Sequence, residues 1–463
     1  MGCAVKGPIR RARPGLATAT SATTPLRILI ASHGHPKIAN GGAEISAFQL
    51  FEELQARSDC VSWFLGCARG HAAGRPGVVI SQPWSEAEFL YGTKAFDWFK
   101  FANQDARFGS EIERLFKALA PDVVHFHHYI NLGLEAMLYL RRVLPDCRIV
   151  LTLHEYLAIC HHYGQMVTPK HRALCHGASP EKCAKCFPEF SPSDFYLRQR
   201  YIMRFLDLVD VFIAPSRFLA ERYIAWGLPA EKMTVLENLM PPAVDALPAK
   251  RSLDGVLRLG FFGQISELKG IKVIFDTAEA LQAASVANIS FEIFGDYSGQ
   301  SFEAIADFQA RIARAGPNIR FSGPYQREQV DRLMQSVHAV LVPSIWWENS
   351  PVVIQEALRN RRPVICSDVG GMAEKVRDGV DGFHFPLGNT VILAALLRTL
   401  ADNRELLTEL GARLDGRPAI SSTIEDYLAL YRARPSHRAS GIPKSAAARS
   451  DNVPGSGTLA TKP

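Results

Sequence analysis

The 463-residue sequence contains no run of 18 or more apolar residues, although 47% of it is apolar. A membrane-spanning helix needs about 20 such residues, so the sequence predicts none. Residues 1–25 contain arginines but lack the apolar segment of a secretory signal, and a disordered leader or a transit peptide fits them. We therefore expect a cytoplasmic protein. Its nine cysteines would be free thiols or metal ligands rather than disulfides.

Net positive charge is absent from the body of the chain, although the whole sequence carries a formal net charge of +6. Residues 1–26 hold four basic and no acidic residues, and residues 434–463 hold five basic residues and one acidic residue. The remainder is therefore slightly negative. Both ends are rich in Gly, Pro, Ser and Ala, which predicts a disordered leader and a disordered tail over 434–463. The charge gives no reason to expect nucleic-acid binding and leaves open only a weak attraction of the tails to anionic membranes.

Strand-like apolar runs alternate with helix-like segments in two series, which is typical of doubly wound α/β domains. A Pro- and Ala-rich linker, residues 241–255, separates an N-terminal domain over 26–240 from a C-terminal domain over 256–415. Ligands of such sheets bind beyond the carboxyl ends of the strands, so two facing domains would form a cleft. The predicted strands are 26–32, 61–66, 122–127, 148–154, 211–216, 233–238, 257–263, 289–295, 319–323, 339–344 and 363–367.

The segment SIWWENSPVVIQEA, residues 344–357, places two glutamates between a predicted strand and a predicted helix. Ser350 is a plausible N-cap and Pro351 suits the first helical position. The first N–H groups of such a helix form an anion or hydroxyl site. Glu348 would lie just before the helix and Glu356 about six residues into it, roughly 9 Å along the axis, so the two carboxylates would contact different parts of one elongated ligand. A solvated loop residue and a capping residue remain an alternative interpretation of the pair.

This segment, together with PVICSDVGGMAEKVRDGVDGF after it, resembles the nucleotide-sugar-binding region of glycosyltransferase family 4, which has the GT-B fold. The E-x7-E motif of the family falls on Glu348 and Glu356. GFFGQISELKGI (260–271) resembles the Gly-Arg-Leu-x-x-x-Lys-Gly segment of the family, and NGGAE (40–44) its first Gly-rich loop. PDVVHFHH, LTLHEY and FIAPSRFLAE also fit. The resemblance covers roughly residues 26–432. It implies two Rossmann-like domains facing across a cleft, and a last helix, within 420–433, that crosses back to the N-terminal domain.

The resemblance also implies roles for individual residues. Glu356 would bind the ribose of the donor, and Glu348 would favour positive charge at the anomeric carbon of the donor sugar. Lys269 would neutralise the leaving diphosphate, and Gly41 and Gly42 would let the backbone approach that diphosphate. The remaining donor-binding positions are Gly263, Gln264, Asn349, Ser350, Val352 and Val353.

One position departs from the family pattern, because Gln264 stands where the family has an arginine. An amide cannot match the charge or the bidentate geometry of a guanidinium on phosphate. The diphosphate would then depend on Lys269, a helix N-terminus or another cation. No D-x-D triplet occurs in the chain, so nothing in the sequence indicates a metal bridging the diphosphate. The resemblance likewise implies an enzyme that needs no cofactor for catalysis.

Histidines follow two of the predicted strands. His154, with Glu155 beside it, ends one strand and resembles the His-Asp/Glu pair of the family, which implies contact with the donor sugar or the acceptor. HFHHY (125–129) ends the preceding strand and suits the lining of an acceptor pocket, with His125 as a core residue. A purely structural histidine is the alternative at each position.

Four cysteines lie within 27 residues, with the spacing C-x14-C-x7-C-x2-C: Cys160, Cys175, Cys183 and Cys186. Their number and spacing suit a structural zinc site, which would hold together a segment without a strong apolar period. Free thiols in a mobile loop and disulfides are the alternatives.

The resemblance thus implies a retaining hexosyltransferase that moves a sugar from a nucleotide diphosphate donor to a saccharide or lipid-linked acceptor. Such an acceptor would allow peripheral contact with the inner face of a membrane. Two other classes remain open. One is another GT-B enzyme, such as a sugar-nucleotide epimerase, which would need no acceptor. The other is a non-catalytic scaffold, which the loss of the arginine at Gln264 favours and the retention of Glu348, Glu356 and Lys269 disfavours.

Overall fold

The computed structural model describes residues 24–38, 41–69, 79–240, 255–414 and 422–433. Most of the leader predicted over 1–25, the linker predicted over 241–255 and the tail predicted over 434–463 therefore lie outside the described residues. The described part folds into two α/β units, one on either side of the linker position.

The N-terminal unit is built on an eight-stranded sheet with the order β10-β9-β8-β7-β1-β2-β4-β3. Neighbouring strands are parallel except β3, which pairs antiparallel with β4. Two further strands, β5 and β6, form a separate antiparallel pair. The strands are β1 (Leu26–Ala31), β2 (Cys60–Arg69), β3 (Ile80–Ser81), β4 (Glu88–Thr93), β5 (Phe96–Asp97), β6 (Ala102–Asn103), β7 (Val123–Phe126), β8 (Arg148–Thr152), β9 (Val211–Ala214) and β10 (Met233–Val235).

Helices cover both faces of this sheet, which is why its central strands are continuous apolar runs. On β1, Ile28 and Ile30 belong to one core cluster, while Leu29 and Ala31 belong to the cluster on the opposite face. The helices are α1 (Gly42–Gln55), α2 (Phe108–Leu119), α3 (Glu135–Val143), α4 (Pro180–Cys186), α5 (Pro192–Leu206) and α6 (Arg217–Trp226), with a 3-10 turn at Ala230–Lys232.

The C-terminal unit is a six-stranded parallel sheet with the order β13-β12-β11-β14-β15-β16. Its strands are β11 (Leu257–Phe262), β12 (Ile289–Phe294), β13 (Ile319–Gly323), β14 (Ala339–Val342), β15 (Val364–Ser367) and β16 (Gly382–Phe385). Its helices are α7 (Ile271–Ala283), α8 (Phe302–Arg314), α9 (Val330–Gln335), α10 (Val352–Arg359), α11 (Gly370–Lys375), α12 (Thr390–Asp402) and α13 (Glu405–Arg413), with a 3-10 turn at Arg327–Gln329.

The last described helix, α14 (Ile424–Arg432), packs on the N-terminal sheet. Tyr427, Leu428 and Tyr431 are buried in the cluster that contains Ile28 and Ile30. The Tyr431 hydroxyl also lies 2.7 Å from Nδ1 of His125. The chain therefore returns to its first domain after completing the second.

The predicted fold class, two Rossmann-like parallel sheets, is confirmed. Each of the eleven predicted strands overlaps an observed one, with ends that differ by a few residues. The sequence pattern did not predict β3 to β6 or β16, because these strands are short or, in β4, begin with a buried charged residue, Glu88. Among the described residues, no helix combines the length and the apolar character needed to cross a bilayer.

Candidate active site

Glu348 lies in a loop between β14 and α10, here called the Glu348 loop (residues 344–351), beyond the carboxyl end of a parallel strand. Its side chain is buried, and its Oε1 accepts hydrogen bonds from Lys269 Nζ at 2.6 Å, Ser344 Oγ at 2.8 Å and Trp346 Nε1 at 2.9 Å. A buried carboxylate needs such partners to offset its loss of hydration. The three donors fix the position of the carboxylate, and Lys269 balances its charge.

Two neighbours of Glu348 face the N-terminal domain instead. Asn349 Oδ1 accepts a bond of 2.6 Å from Ser216 Oγ, and its Nδ2 donates to the carbonyl of His154 at 3.1 Å. Ser350 Oγ donates to Glu237 Oε1 at 2.6 Å. The prediction that Ser350 caps the following helix is wrong. Pro351 occupies the N-cap position of α10, and the Ser350 hydroxyl is engaged by a carboxylate from the other domain.

Two glycines, Gly370 and Gly371, pack against the backbone of the Glu348 loop. The N–H of Gly371 donates to the carbonyl of Glu348 at 2.7 Å. A Cβ atom at Gly371 would lie 1.4 Å from the carbonyl oxygen of Asn349, a distance that no side chain could adopt. Gly370 has a φ of +59°, in the left-handed region that favours glycine. The two glycines of the VGG sequence are therefore what allows α11 to approach the loop.

Glu356 lies on α10 in a cavity of about 380 Å³ between the two domains. Residues from α1, the 3-10 turn and α9 share this lining with it, among them Gln49, Arg327 and Asp331. Burial raises the pKa of Glu356 to about 7. Asp331 acts in the same direction, whereas Arg359 and Arg327 oppose the shift. Arg327 was not singled out from the sequence, where it falls within a helix-like stretch. Its Nη2 reaches Gln49 Oε1 of the other domain at 3.4 Å.

The N-termini of two helices meet across the cleft. Gly42 begins α1 and Val352 begins α10, and a Cβ at Gly42 would lie 3.7 Å from Val352 Cγ2. A Cβ at Gly41 would lie 2.3 Å from Glu44 Oε2, so a side chain there would displace Glu44. Helix N-termini favour anions, and two of them converge here, with Val353 in the first turn of α10.

His154 lies just beyond β8, with its Nε2 3.1 Å from Nδ1 of His127. Burial lowers the pKa of His154 to about 4, although Glu155 opposes the shift. His154 is therefore neutral near pH 7 and can offer a hydrogen bond but no positive charge. His125 is a buried core residue, bonded to Thr152 and Tyr431, as the sequence indicated.

Two histidine–carboxylate pairs flank His154, and the sequence analysis did not predict their pairing. His128 bonds to Glu155, and His33 Nε2 lies 3.0 Å from Glu44 Oε1. Burial alone would lower the pKa of His33, but the hydrogen bond and charge of Glu44 outweigh it and the pKa is raised. Burial raises the pKa of Glu155, but the charge and hydrogen bond of His128 outweigh it and hold the pKa at about 2. His33 could have been found from the HGH sequence after β1, but the sequence does not show that its partner is Glu44 in the first turn of α1.

Gln264 follows β11 on the same connection as Lys269, and its side chain is exposed. Gly263 before it has a φ of +124°, and nothing lies within 4 Å of where a Cβ would stand. The backbone conformation therefore favours glycine at this position, whereas space does not require it.

The four cysteines do not form the predicted tetrahedral centre. Each is a free, partly buried thiol, and no group of three or more His, Cys, Asp or Glu side chains in the described part of the chain is placed to hold a metal ion. Residues 160–186 have packing and hydrogen-bond contacts of their own. Met166 and Val167 are buried, Val167 pairs with Leu174, and Ser179 caps α4.

Comparison with known proteins identifies the family. The model described as Glycosyltransferase Family 4 matches residues 40–243, and that described as Glycosyl transferases group 1 matches residues 248–414. The chain belongs to glycosyltransferase family 4. Among solved structures, Anabaena HepE in complex with UDP has a TM-score of 0.60 at 18% identity, covering 88% of this chain and 99% of that one. This likeness shows the GT-B fold.

Two curated relatives align with part of the chain. The amylovoran biosynthesis glycosyltransferase AmsK of Erwinia amylovora is 27% identical over 42% of this chain and 47% of its own length. The lipopolysaccharide 1,2-N-acetylglucosaminetransferase of Salmonella typhimurium is 28% identical over 41% of this chain and 53% of its own length. The chain thus spans about half the length of these relatives.

Proposed function

We propose that the protein is a retaining glycosyltransferase that moves a sugar from a nucleoside diphosphate donor to a saccharide or lipid-linked acceptor. The observation that carries the proposal is the environment of Glu348. Its carboxylate is fixed by Lys269, Ser344 and Trp346, while the adjacent Asn349 bonds to the backbone of His154 across the cleft. A fixed negative charge between the two domains suits a transition state in which positive charge develops at the anomeric carbon.

The donor would lie along α10 in this proposal. The cavity at Glu356 would take the nucleoside, with the carboxylate accepting hydrogen bonds from ribose hydroxyls. The facing N-termini of α1 and α10, with the backbone at Gly41, Gly42, Val352 and Val353, would take the diphosphate. Lys269 would bind the diphosphate as it leaves, and neutral His154 would bond to a sugar hydroxyl. The proposal assigns no metal ion to the reaction.

The donor base, the sugar and the acceptor are also matters of proposal. The HepE structure holds UDP, which makes uridine diphosphate sugars the first donors to test. The names of the two curated relatives concern amylovoran and lipopolysaccharide, so a polysaccharide or a lipid-linked saccharide is the proposed acceptor class. A lipid-linked acceptor would require contact with a membrane surface without insertion.

A panel of nucleotide sugars tests the proposed function. We expect one donor to raise the melting temperature and to be consumed faster when saccharide or lipid-linked acceptors are added. Nuclear magnetic resonance of the product should show the anomeric configuration of the donor retained. Release of a free epimerised nucleotide sugar would instead establish the epimerase alternative. No binding of any donor would contradict the proposal.

Gln264→Arg tests the missing arginine. If Gln264 leaves the diphosphate short of positive charge, a guanidinium should tighten nucleoside diphosphate binding by about 1 kcal/mol, because an ion pair at an exposed position contributes up to about that much. Gln264→Glu is the matched control and should weaken binding, because it adds negative charge at the same exposed position. Isothermal titration calorimetry with the nucleoside diphosphate measures both. Weaker binding by the arginine variant would show that another cation already serves this part of the site.

A further inference from the structure

The residues of the Glu348 loop divide between the two domains. Trp346 Nε1 and Lys269 Nζ both donate to the Glu348 carboxylate, so these side chains are held within the C-terminal domain. Trp347 belongs to the C-terminal domain by sequence, but its side chain is part of the main core cluster of the N-terminal domain. A side chain that is only 7% exposed in the core of the other domain is an unusual feature of an active-site loop.

The indole of Trp347 has a defined socket in the N-terminal domain. Its ring centroid lies 5.0 Å from that of Phe218 and 5.3 Å from that of His176, and the Arg222 guanidinium lies 5.1 Å from it. Its Nε1 donates to the carbonyl of Cys175 at 3.0 Å. A buried indole N–H needs such a partner, so the carbonyl fixes both the depth and the orientation of the ring.

Cys175 belongs to the segment of residues 160–186, here called the cysteine loop, to which the proposed reaction assigns no role. The carbonyl of Cys175 is itself held in place. The N–H of Cys175 donates to Met166 at 2.7 Å, and Arg222 Nη1 donates to the neighbouring carbonyl of His176 at 2.5 Å. Arg172 of the same loop lies 3.7 Å from Glu267, near Lys269 in sequence. The cysteine loop therefore contacts both connections that hold the Glu348 carboxylate.

A second anchor lies on the other side of Glu348. Glu237 and Lys375 form a buried ion pair between the domains, and Glu237 accepts the hydroxyl of Ser350. Glu348 is thus flanked by Trp347, held by the cysteine loop, and by Asn349 and Ser350, held by other parts of the N-terminal domain. The backbone of Glu348 is therefore held by contacts with the N-terminal domain, whereas the three donors to its carboxylate, Lys269, Ser344 and Trp346, belong to the C-terminal domain.

We propose that Trp347 is a positioning residue, and that the cysteine loop acts through it to hold the Glu348 carboxylate where the donor sugar reacts. The inference rests on the proposed function. The nucleoside cavity at Glu356 is lined by none of the residues that surround Trp347. Loosening Trp347 should therefore affect turnover and leave nucleotide affinity unchanged.

Trp347→Phe and Trp347→Ala test the proposal, with Trp226→Phe of α6 as the matched control. The phenylalanine keeps an aromatic ring in the socket but cannot donate to Cys175. We expect it to lower kcat about 3- to 10-fold, and alanine to lower it more than 10-fold, with nucleoside diphosphate affinity within 2-fold of the parent. Trp226→Phe should leave kcat unchanged. A loss of kcat matched by a loss of nucleotide affinity would indicate a general structural defect and overturn the proposal, as would unchanged kcat.

Hydrogen exchange of the same variants separates this inference from the proposed function. In Trp347→Phe, amides of residues 344–351 and 172–178 should exchange faster together, whereas Trp226→Phe should leave both segments as in the parent. If the parent transfers no sugar at all, the proposed function fails and hydrogen exchange alone decides the anchoring of the loop. Faster exchange in only one of the two segments would overturn the coupling between them.

Discussion

Replacing Glu348 by glutamine is expected to lower kcat by roughly 10²- to 10³-fold, the usual effect of removing one fixed electrostatic group from an active site. Glutamine fills the same space and can still accept bonds from Ser344 and Trp346. It removes the negative charge that would stabilise positive charge at the anomeric carbon, and it leaves Lys269 without its ion-pair partner. Nucleoside diphosphate affinity should be maintained or increased, because Lys269 then becomes more available to phosphate. Steady-state kinetics and calorimetry measure the two quantities separately.

Glu356→Ala is the contrasting variant. It should weaken nucleoside diphosphate binding, because the lost carboxylate is the proposed partner of the ribose hydroxyls. The two glutamates would then have separable roles, as their different surroundings suggest. If both variants bound the nucleotide like the parent and turned over at the parental rate, the assignment of the E-x7-E motif to the donor would be wrong.

The fold was accessible from the sequence because both sheets are covered on their two faces. Central strands such as β1 and β11 are then continuous apolar runs, and these can be recognised without knowing their neighbours. The same reasoning fails for β4, whose first residue, Glu88, is buried against His35 and Lys37. A charged residue is unfavourable in a buried strand until its partners are known, and those partners come from the loop after β1.

The site was only partly accessible from the sequence. Spacing and resemblance brought Glu348, Lys269 and Glu356 to one side of the cleft, and the structure places the first two on connections that follow strands and Glu356 on α10. They could not show that Ser350 bonds to Glu237 rather than capping α10, since that contact joins residues 113 positions apart. Nor could the cysteine spacing show that the loop is held by Met166, Val167 and Trp347. Local pattern predicts elements, whereas contacts between domains decide which side chains are free for a ligand.

The pH dependence of stability offers a test of Glu356 that requires no substrate. In the folded protein burial raises its pKa from an ordinary value near 4.5 to about 7. Between these values the unfolded chain has lost a proton that the folded chain keeps. The carboxyl therefore contributes less to stability as pH rises, and the full loss is reached above about pH 7. Since the cavity admits some solvent, we expect this loss to be on the order of 2 kcal/mol.

Glu356→Gln should remove this dependence, because an amide remains uncharged at every pH. The variant and the parent should unfold at similar temperatures at pH 5, and the variant should be the more stable by about 2 kcal/mol at pH 8. Glu221→Gln, at an exposed position on α6, is the matched control and should follow the parent throughout. Differential scanning calorimetry across pH 5 to 8 measures the three proteins. If the stability of the parent and of Glu356→Gln changed in parallel with pH, Glu356 would be ionised in the free protein. The carboxylate would then be hydrated in the cavity rather than held neutral by burial.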